Sequence, residues 1–204
     1  MNSKRTIIFF IAVVTLLPVT LFGITKWFES HMQRLPILGA ENHVVGRFSF
    51  KDQSGEDFSQ DKWKGKIVVA NYFFTSCPSV CPRLMSALQK VYAAGNENIL
   101  INSFTVDPGR DSVGRLKAYA DKHNIKNGWF LLTGEKIKLY KFARTDLAID
   151  ATDGDGGPDD FIHSDQLVLI DPLKQIRGYY KGTDDQEINR LIQDVRRLKI
   201  EFHL

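Results

Sequence analysis

The stretch Ile67-Val68-Val69-Ala70-Asn71-Tyr72-Phe73-Phe74 runs straight into Thr75-Ser76-Cys77-Pro78-Ser79-Val80-Cys81-Pro82. The first eight residues are almost continuously apolar, without alternation, as expected for a strand covered on both faces. Beyond the second cysteine, Leu84, Leu88 and Val91 recur at helical spacing, and Gly95 suits the C-terminal cap of that helix. The same reading extends outward in both directions. Upstream, Arg47 to Lys51 and Glu56 to Phe58 flank Ser54-Gly55 and predict a short hairpin. Downstream, Ile99 to Val106 predicts a second strand. A helix is expected from about Ser112 to His123, with Val113, Leu116, Tyr119 and Ala120 on one face. Trp129 to Leu132 predicts a third strand, and Ile137, Tyr140 and Arg144 mark another helix. Gln166 to Ile170 and Gln175 to Tyr180 enclose Asp171-Pro172 as a hairpin, and Thr183 with Gln186 forms a capping box for a final helix. Alternating β and α elements that end β-β-α predict an α/β sheet with helices on both faces.

Composition narrows the function. The 204 residues carry 27 Lys and Arg against 24 Asp and Glu, a formal net charge of +3, too balanced to argue for a nucleic-acid partner. Hydrophobic residues at 43% exclude a disordered chain, and two cysteines in total exclude a multi-disulfide scaffold. Ile7 to Ile24 is 18 residues without charge, preceded by Lys4 and Arg5 and followed by Lys26. As a helix it covers roughly 27 Å, enough to span a bilayer. A cleaved leader is the competing reading, but no A-x-A-like site follows and no cysteine there could take a lipid. The expected organisation is an anchor at 1–25, a tether at 26–45 and one domain at 46–204. The positive charges before the span place that domain across the membrane from the cytoplasm.

The cysteines sit where a buried strand gives way to a helix, the edge at which open α/β sheets hold ligands. Pro82 suits the first helical position, which makes Cys81 the cap, in a field that favours thiolate. The spacing is C-x-x-x-C rather than the C-x-x-C of a thioredoxin redox pair, and structural zinc would want a second pair. Two thiolates and one imidazole would make a soft, low-coordinate site suited to copper. Of five histidines, His31 and His43 lie in the tether region, His203 lies at the end, and His123 near a helix terminus is explained by the dipole. His163, just before the strand Gln166 to Ile170, reads equally well as a ligand or a surface residue. Asp111 with Ser112 is expected to cap the following helix. Asp107 is either a plain strand end or a residue that tunes the site from outside the ligand set.

Three blocks resemble the SCO/SenC family of copper-binding cytochrome c oxidase assembly proteins. They are Phe74-Thr75-x-Cys77-Pro78-x-Val80-Cys81-Pro82, Thr105-Val106-Asp107-Pro108-x-Arg110-Asp111, and Phe161-Ile162-His163-Ser164 before a strand ending Ile170-Asp171-Pro172. The resemblance covers roughly residues 44 to 198. It implies a thioredoxin-like fold and an N-terminal transmembrane helix. It also implies a copper site, Cu(I) and in some states Cu(II), built from Cys77, Cys81 and His163. Two activities are compatible with it. One is copper delivery to the copper-site subunit of cytochrome c oxidase or another cuproprotein, after loading by an upstream donor. The other is thiol–disulfide reduction of the acceptor by redox-active Cys77 and Cys81, the only sense in which the chain would be an enzyme. A thiol peroxidase would need a peroxide-activating environment that the motif lacks. The expected location is a bacterial inner membrane with the domain in the periplasm, rather than the mitochondrial inner membrane, since no Arg- and Ser-rich transit segment precedes the span. The segment from Asp146 to Asp160 holds six aspartates, but Asp153-Gly154-Asp155 fails as a calcium loop because the distal glutamate is missing. It reads as a solvated acidic loop leading to His163.

Overall fold

The computed structural model describes residues 3–32, 34–40, 43–95, 98–125, 127–149 and 164–204, with the backbone alone described for 3–6 and 28–32. His163 and most of the acidic loop therefore lie outside the described residues. The chain divides into two compact units, 1–35 and 36–204.

The first unit is helix α1, Ser3–Met32. Its segment Ile7–Trp27 is long and apolar enough to cross a membrane, a test that a leader sequence also meets. The hydroxyls of Thr15 and Thr20 donate back to the carbonyls of Ile11 and Leu16, both at 2.9 Å, so their polarity is met within the helix. Lys26–Met32, read from the sequence as the start of a tether, continues this helix.

The second unit contains β1 (Ser49–Lys51), β2 (Asp57–Ser59), β3 (Ile67–Phe73), α2 (Val80–Gly95), β4 (Ile99–Thr105), α3 (Val113–Lys122) and β5 (Trp129–Leu132). It continues with α4 (Lys136–Lys141), β6 (Gln166–Ile170), β7 (Ile176–Lys181) and α5 (Asp185–Phe202). The five-stranded sheet has the order β5-β4-β3-β6-β7. The pairs β3/β4 and β4/β5 are parallel, and β3/β6 and β6/β7 are antiparallel. All seven residues of β3 are buried, as an uninterrupted apolar run requires. Alternation along the strand sends Val68, Ala70 and Tyr72 into a core with Phe50, Phe58, Phe104 and Phe142, on the face covered by the β1–β2 hairpin and α4. The opposite face carries α2, α3 and α5, with Phe73 against the Tyr119 ring of α3. The fold is the expected α/β arrangement with helices on both faces.

Three local expectations change. The cap of α5 is Asp184, whose side chain accepts from the Gln186 N–H, while the Thr183 hydroxyl turns instead to Asp165. A carboxylate one residue later satisfies the helix donors better than the hydroxyl would. Ile137 is solvent-exposed, and α4 buries Leu139 beside the expected Tyr140, with Phe142 and Ala143 following. The end of the presumed tether is pinned to the domain. The Leu38 N–H donates to the Ile176 carbonyl at 2.8 Å, and Val45 is buried.

Both outer strands of the sheet are occupied. On β5 the Gln53 carboxamide accepts from the Leu131 N–H at 2.9 Å and donates to the Trp129 carbonyl at 3.2 Å, and Lys51 and Thr133 exchange backbone bonds. On β7, Leu38 takes the Ile176 carbonyl and the Arg190 guanidinium takes that of Tyr179.

The β6–β7 turn is held by Asp171, which is 1% exposed. Its carboxylate accepts from the Leu173 and Gln175 N–H groups and pairs at 2.7 Å with buried Arg177, which also reaches Glu201. Asp171→Ala would leave the buried guanidinium only its Glu201 carboxylate and unmatch two turn N–H groups, so denaturant unfolding should show a loss of about 3 kcal/mol. Removing Asp57, whose ion pair with Lys51 is exposed, should cost about 1 kcal/mol or less.

Candidate metal centre

β3 delivers the chain to its C-terminal edge, where Phe74 to Ser79 turn it into α2. The Cys77 N–H donates to the Phe74 carbonyl at 3.3 Å, closing a tight turn. α2 begins at Val80, so Pro82 is its third residue rather than its first, and Cys81 lies within the opening turn rather than capping it. Proline is tolerated there because the first four helical N–H groups have no intrahelical acceptor. The capping role passes to the other cysteine. The Cys81 N–H donates to Cys77 Sγ at 3.3 Å, giving an otherwise unmatched helix donor a sulfur acceptor.

Both thiols are free, and they differ sharply. Cys77 is half-buried. Burial alone would raise its pKa, but hydrogen bonds from the Cys81 side chain and from the backbone of Cys81, Ser79 and Val80 outweigh it and bring the thiol below its ordinary value. Cys81 is 5% exposed, and burial pushes its pKa up to about 12, reinforced by its neighbours Cys77 and Asp111. Ionisation is thus easier at Cys77 than at Cys81.

The thiols line an open cleft of about 550 Å³ together with Phe74, Arg83, Ser164 and Lys181. β6 explains the presence of Ser164. It runs antiparallel to β3 with Asn71 opposite Leu167, so the residues preceding Gln166 reach the edge where β3 ends. His163, the neighbour of Ser164 in the chain, lies outside the described residues. Among the described residues, no three His, Cys, Asp or Glu side chains come together as a metal cluster.

The other candidates separate from the cleft. The His43 ring meets the Asp146 carbonyl at 2.8 Å. His123 follows α3, its ring tilted 36° to that of Tyr119 with centroids 4.2 Å apart. Burial, followed by the Lys122 charge, lowers its pKa, so a favourable cation at the helix end does not account for it. His203 ends α5 in a left-handed conformation. Asp107 does not line the cleft. Its N–H donates to Thr105 Oγ1 at 3.0 Å, and its carboxylate lies 3.5 Å from Arg110.

Asp111 departs furthest from expectation. The α3 cap is Ser112 alone, accepting from the Arg115 N–H. Asp111 is fully buried and bonded elsewhere, to the Thr75 N–H at 3.2 Å, the Thr75 hydroxyl, and the Thr105 hydroxyl at 2.6 Å. Three donors at a buried site hold a carboxylate more firmly than one helix end could. The signal available in the sequence was the threonine two residues before Cys77, paired with the one six residues before Asp111.

Comparison with known proteins follows the same residues. The SCO1/SenC family model matches residues 38–199. A SCO1 protein homolog of Bacillus subtilis is 30% identical over 160 residues, covering 76% of this chain and 82% of that protein. The solved structure of BsSco, described as having a disulfide switch and as a member of the Sco family of cytochrome c oxidase assembly proteins, matches with a TM-score of 0.67 and 26% identity, covering 82% of this chain and 98% of that one. ScoI of Bradyrhizobium japonicum, solved with copper bound, matches in fold with a TM-score of 0.60 and 22% identity, over 76% and 99% of the two chains. The fold is thioredoxin-like.

The asymmetry of the thiols is directly measurable. In the reduced, metal-free protein, iodoacetamide should label Cys77 first, and Cys77→Ser should abolish the fast phase. The Cys77 rate should rise with pH and level off below the ordinary thiol range, because its pKa is lowered, while Cys81 stays protonated up to about 12. Peptide mass spectrometry showing equal labelling of both residues at neutral pH would contradict the geometry.

Proposed function

This chain belongs to the SCO1/SenC family, and from that premise we propose that it is a membrane-anchored copper carrier, taking copper as cargo through Cys77, Cys81 and His163. The observation that carries the reading is the cleft: both thiols line it together with Ser164, the chain neighbour of His163. The donor chemistry fits the cargo. Thiolate and imidazole are the ligands that suit Cu(I), and a low-coordinate site leaves room for an acceptor's sulfur. Cys77, already inclined to ionise, would capture the ion. Cys81 would lose its proton on joining, and His163 would complete the set. Release would follow as acceptor ligands replace these one at a time, so that the ion is never free.

The proposed acceptor is the copper-site subunit of cytochrome c oxidase or another cuproprotein, with an upstream donor loading the site. The Sco family's description as cytochrome c oxidase assembly proteins supports this choice. In the proposed topology α1 is retained in a bacterial inner membrane, the domain of residues 46–204 faces the periplasm, and Asp107 acts on the site from outside the ligand set.

A second reading rests on the two adjacent free thiols and on the disulfide switch described for BsSco. Here the Cys77 thiolate attacks an acceptor disulfide, and Cys81 resolves the mixed disulfide. The acceptor leaves as a dithiol, and this chain becomes the disulfide. His163 discriminates the two, because dithiol exchange does not require it. The test is copper stoichiometry of the reduced full chain in detergent. One equivalent held tightly, and lost in Cys77→Ala, Cys81→Ala and His163→Ala alike, supports the carrier. Absence of binding to the wild type would overturn it, and reductase activity retained in His163→Ala would favour the second reading.

A further inference from the structure

The buried carboxylate of Asp111 is not needed by α3, which Ser112 caps, nor by the hydrophobic core. What it joins is specific. Through Thr75 it holds the loop two residues before Cys77, by both the backbone N–H and the side-chain hydroxyl. Through Thr105 it holds the end of β4, and the same Thr105 oxygen accepts the Asp107 N–H at 3.0 Å. Arg115 closes the arrangement from outside, donating to Thr75 Oγ1 at 2.8 Å with its Nε 3.9 Å from Asp111.

We propose that Asp111 is the positioning residue of the thiol pair, fixing through Thr75 and Thr105 the geometry at which Cys77 meets Cys81. The inference deepens the proposed function, since the positioned pair is the proposed copper site. The other bonds of the cysteine turn are short-range ones made within residues 74–81, so they do not tie it to the neighbouring strand. Ser76, Pro78, Ser79 and Val80 are all exposed, and the Cys77 N–H makes one long backbone bond. A turn so exposed samples many conformations unless something at its root restrains it, and the Asp111 bracket is that restraint. It also links the loop to the Asp107 turn, because the carboxylate accepts from Thr75 and from the Thr105 hydroxyl, whose oxygen in turn accepts the Asp107 N–H.

The bracket is tested with Asp111→Asn, Thr75→Val and Thr75→Ser, with Asp194→Asn as a control. Asp194 is a buried carboxylate bonded to the Tyr180 hydroxyl at 2.9 Å, so it probes the general cost of losing such a group. The first readout uses the reduced, metal-free protein: the equilibrium constant for closing the Cys77–Cys81 disulfide with glutathione disulfide, which yields two glutathione thiols. It measures how well the two sulfurs are held together. Asp111→Asn and Thr75→Val should lower it about five-fold or more, as expected for one lost hydrogen bond. Thr75→Ser, which keeps the hydroxyl, and Asp194→Asn should leave it near the wild-type value. The second readout is the thiolate-to-copper charge-transfer absorption of the Cu(II)-loaded protein, which should weaken or shift in the same two variants only. Thermal unfolding midpoints accompany both. If Asp111→Asn lowers stability as Asp194→Asn does yet leaves the disulfide constant and the absorption unchanged, the residue is a plain structural group and the inference fails. Should Asp111→Asn not fold, Thr75→Val decides alone. If the wild type binds no copper, the carrier reading falls while the glutathione measurement still decides the role of Asp111.

Discussion

The mixed pairing of β3 is the constraint on which the rest depends. With β4 parallel on one side and β6 antiparallel on the other, the end of β3, the end of β4 and the start of β6 must all emerge at one edge of the sheet. The cysteine turn, the Asp107 turn and the residues leading into β6 are distant in sequence, and this ladder alone makes them neighbours. Register is held by burial on both faces, since a slip of one residue would exchange the inner and outer side chains of all seven positions. The polar groups inside the sheet follow the same discipline. Asn71 accepts from the Ser103 hydroxyl at 2.7 Å, which in turn accepts from the Trp129 indole at 3.0 Å, so a chain of satisfied bonds crosses three strands.

At that edge, small local facts divide the chemistry between two identical residue types. Cys77 is the acceptor of a helix-terminal N–H, and Cys81 is inside the helix and under the core. The same start of α2 therefore favours charge on one sulfur and opposes it on the other. A four-residue separation on a helix-opening turn suffices for this. The spacing alone did not reveal which cysteine would take which part.

The legibility of the sequence varied by kind of residue. Ile67–Phe73, Trp129–Leu132 and Gln166–Ile170 were readable because continuous burial leaves a continuous apolar record. Caps were misread wherever a polar side chain had a competing long-range use. Thr183 turned to Asp165, and Asp111 turned to Thr75, 36 residues away. No local window contains such a partner. Leu38 and Val45 looked like tether for the same reason, because their partners lie on β7 and in the turn before it. The position of the cysteine pair, at a sheet edge just after a buried strand, was legible, and both thiols line the cleft there. The part of His163 rests on family resemblance, since its side chain lies outside the described residues.

The closed edges of the sheet bear on how another protein can be met. Recognition by strand addition needs a row of free backbone donors and acceptors on an outer strand. Here a glutamine carboxamide stands in for a neighbouring strand along β5, and Leu38 and Arg190 hold carbonyls of β7. The chain itself thus takes up part of each margin. A strand added edge-on would have to displace these contacts, whereas the cleft that holds both thiols opens at the end of the sheet where β3 stops.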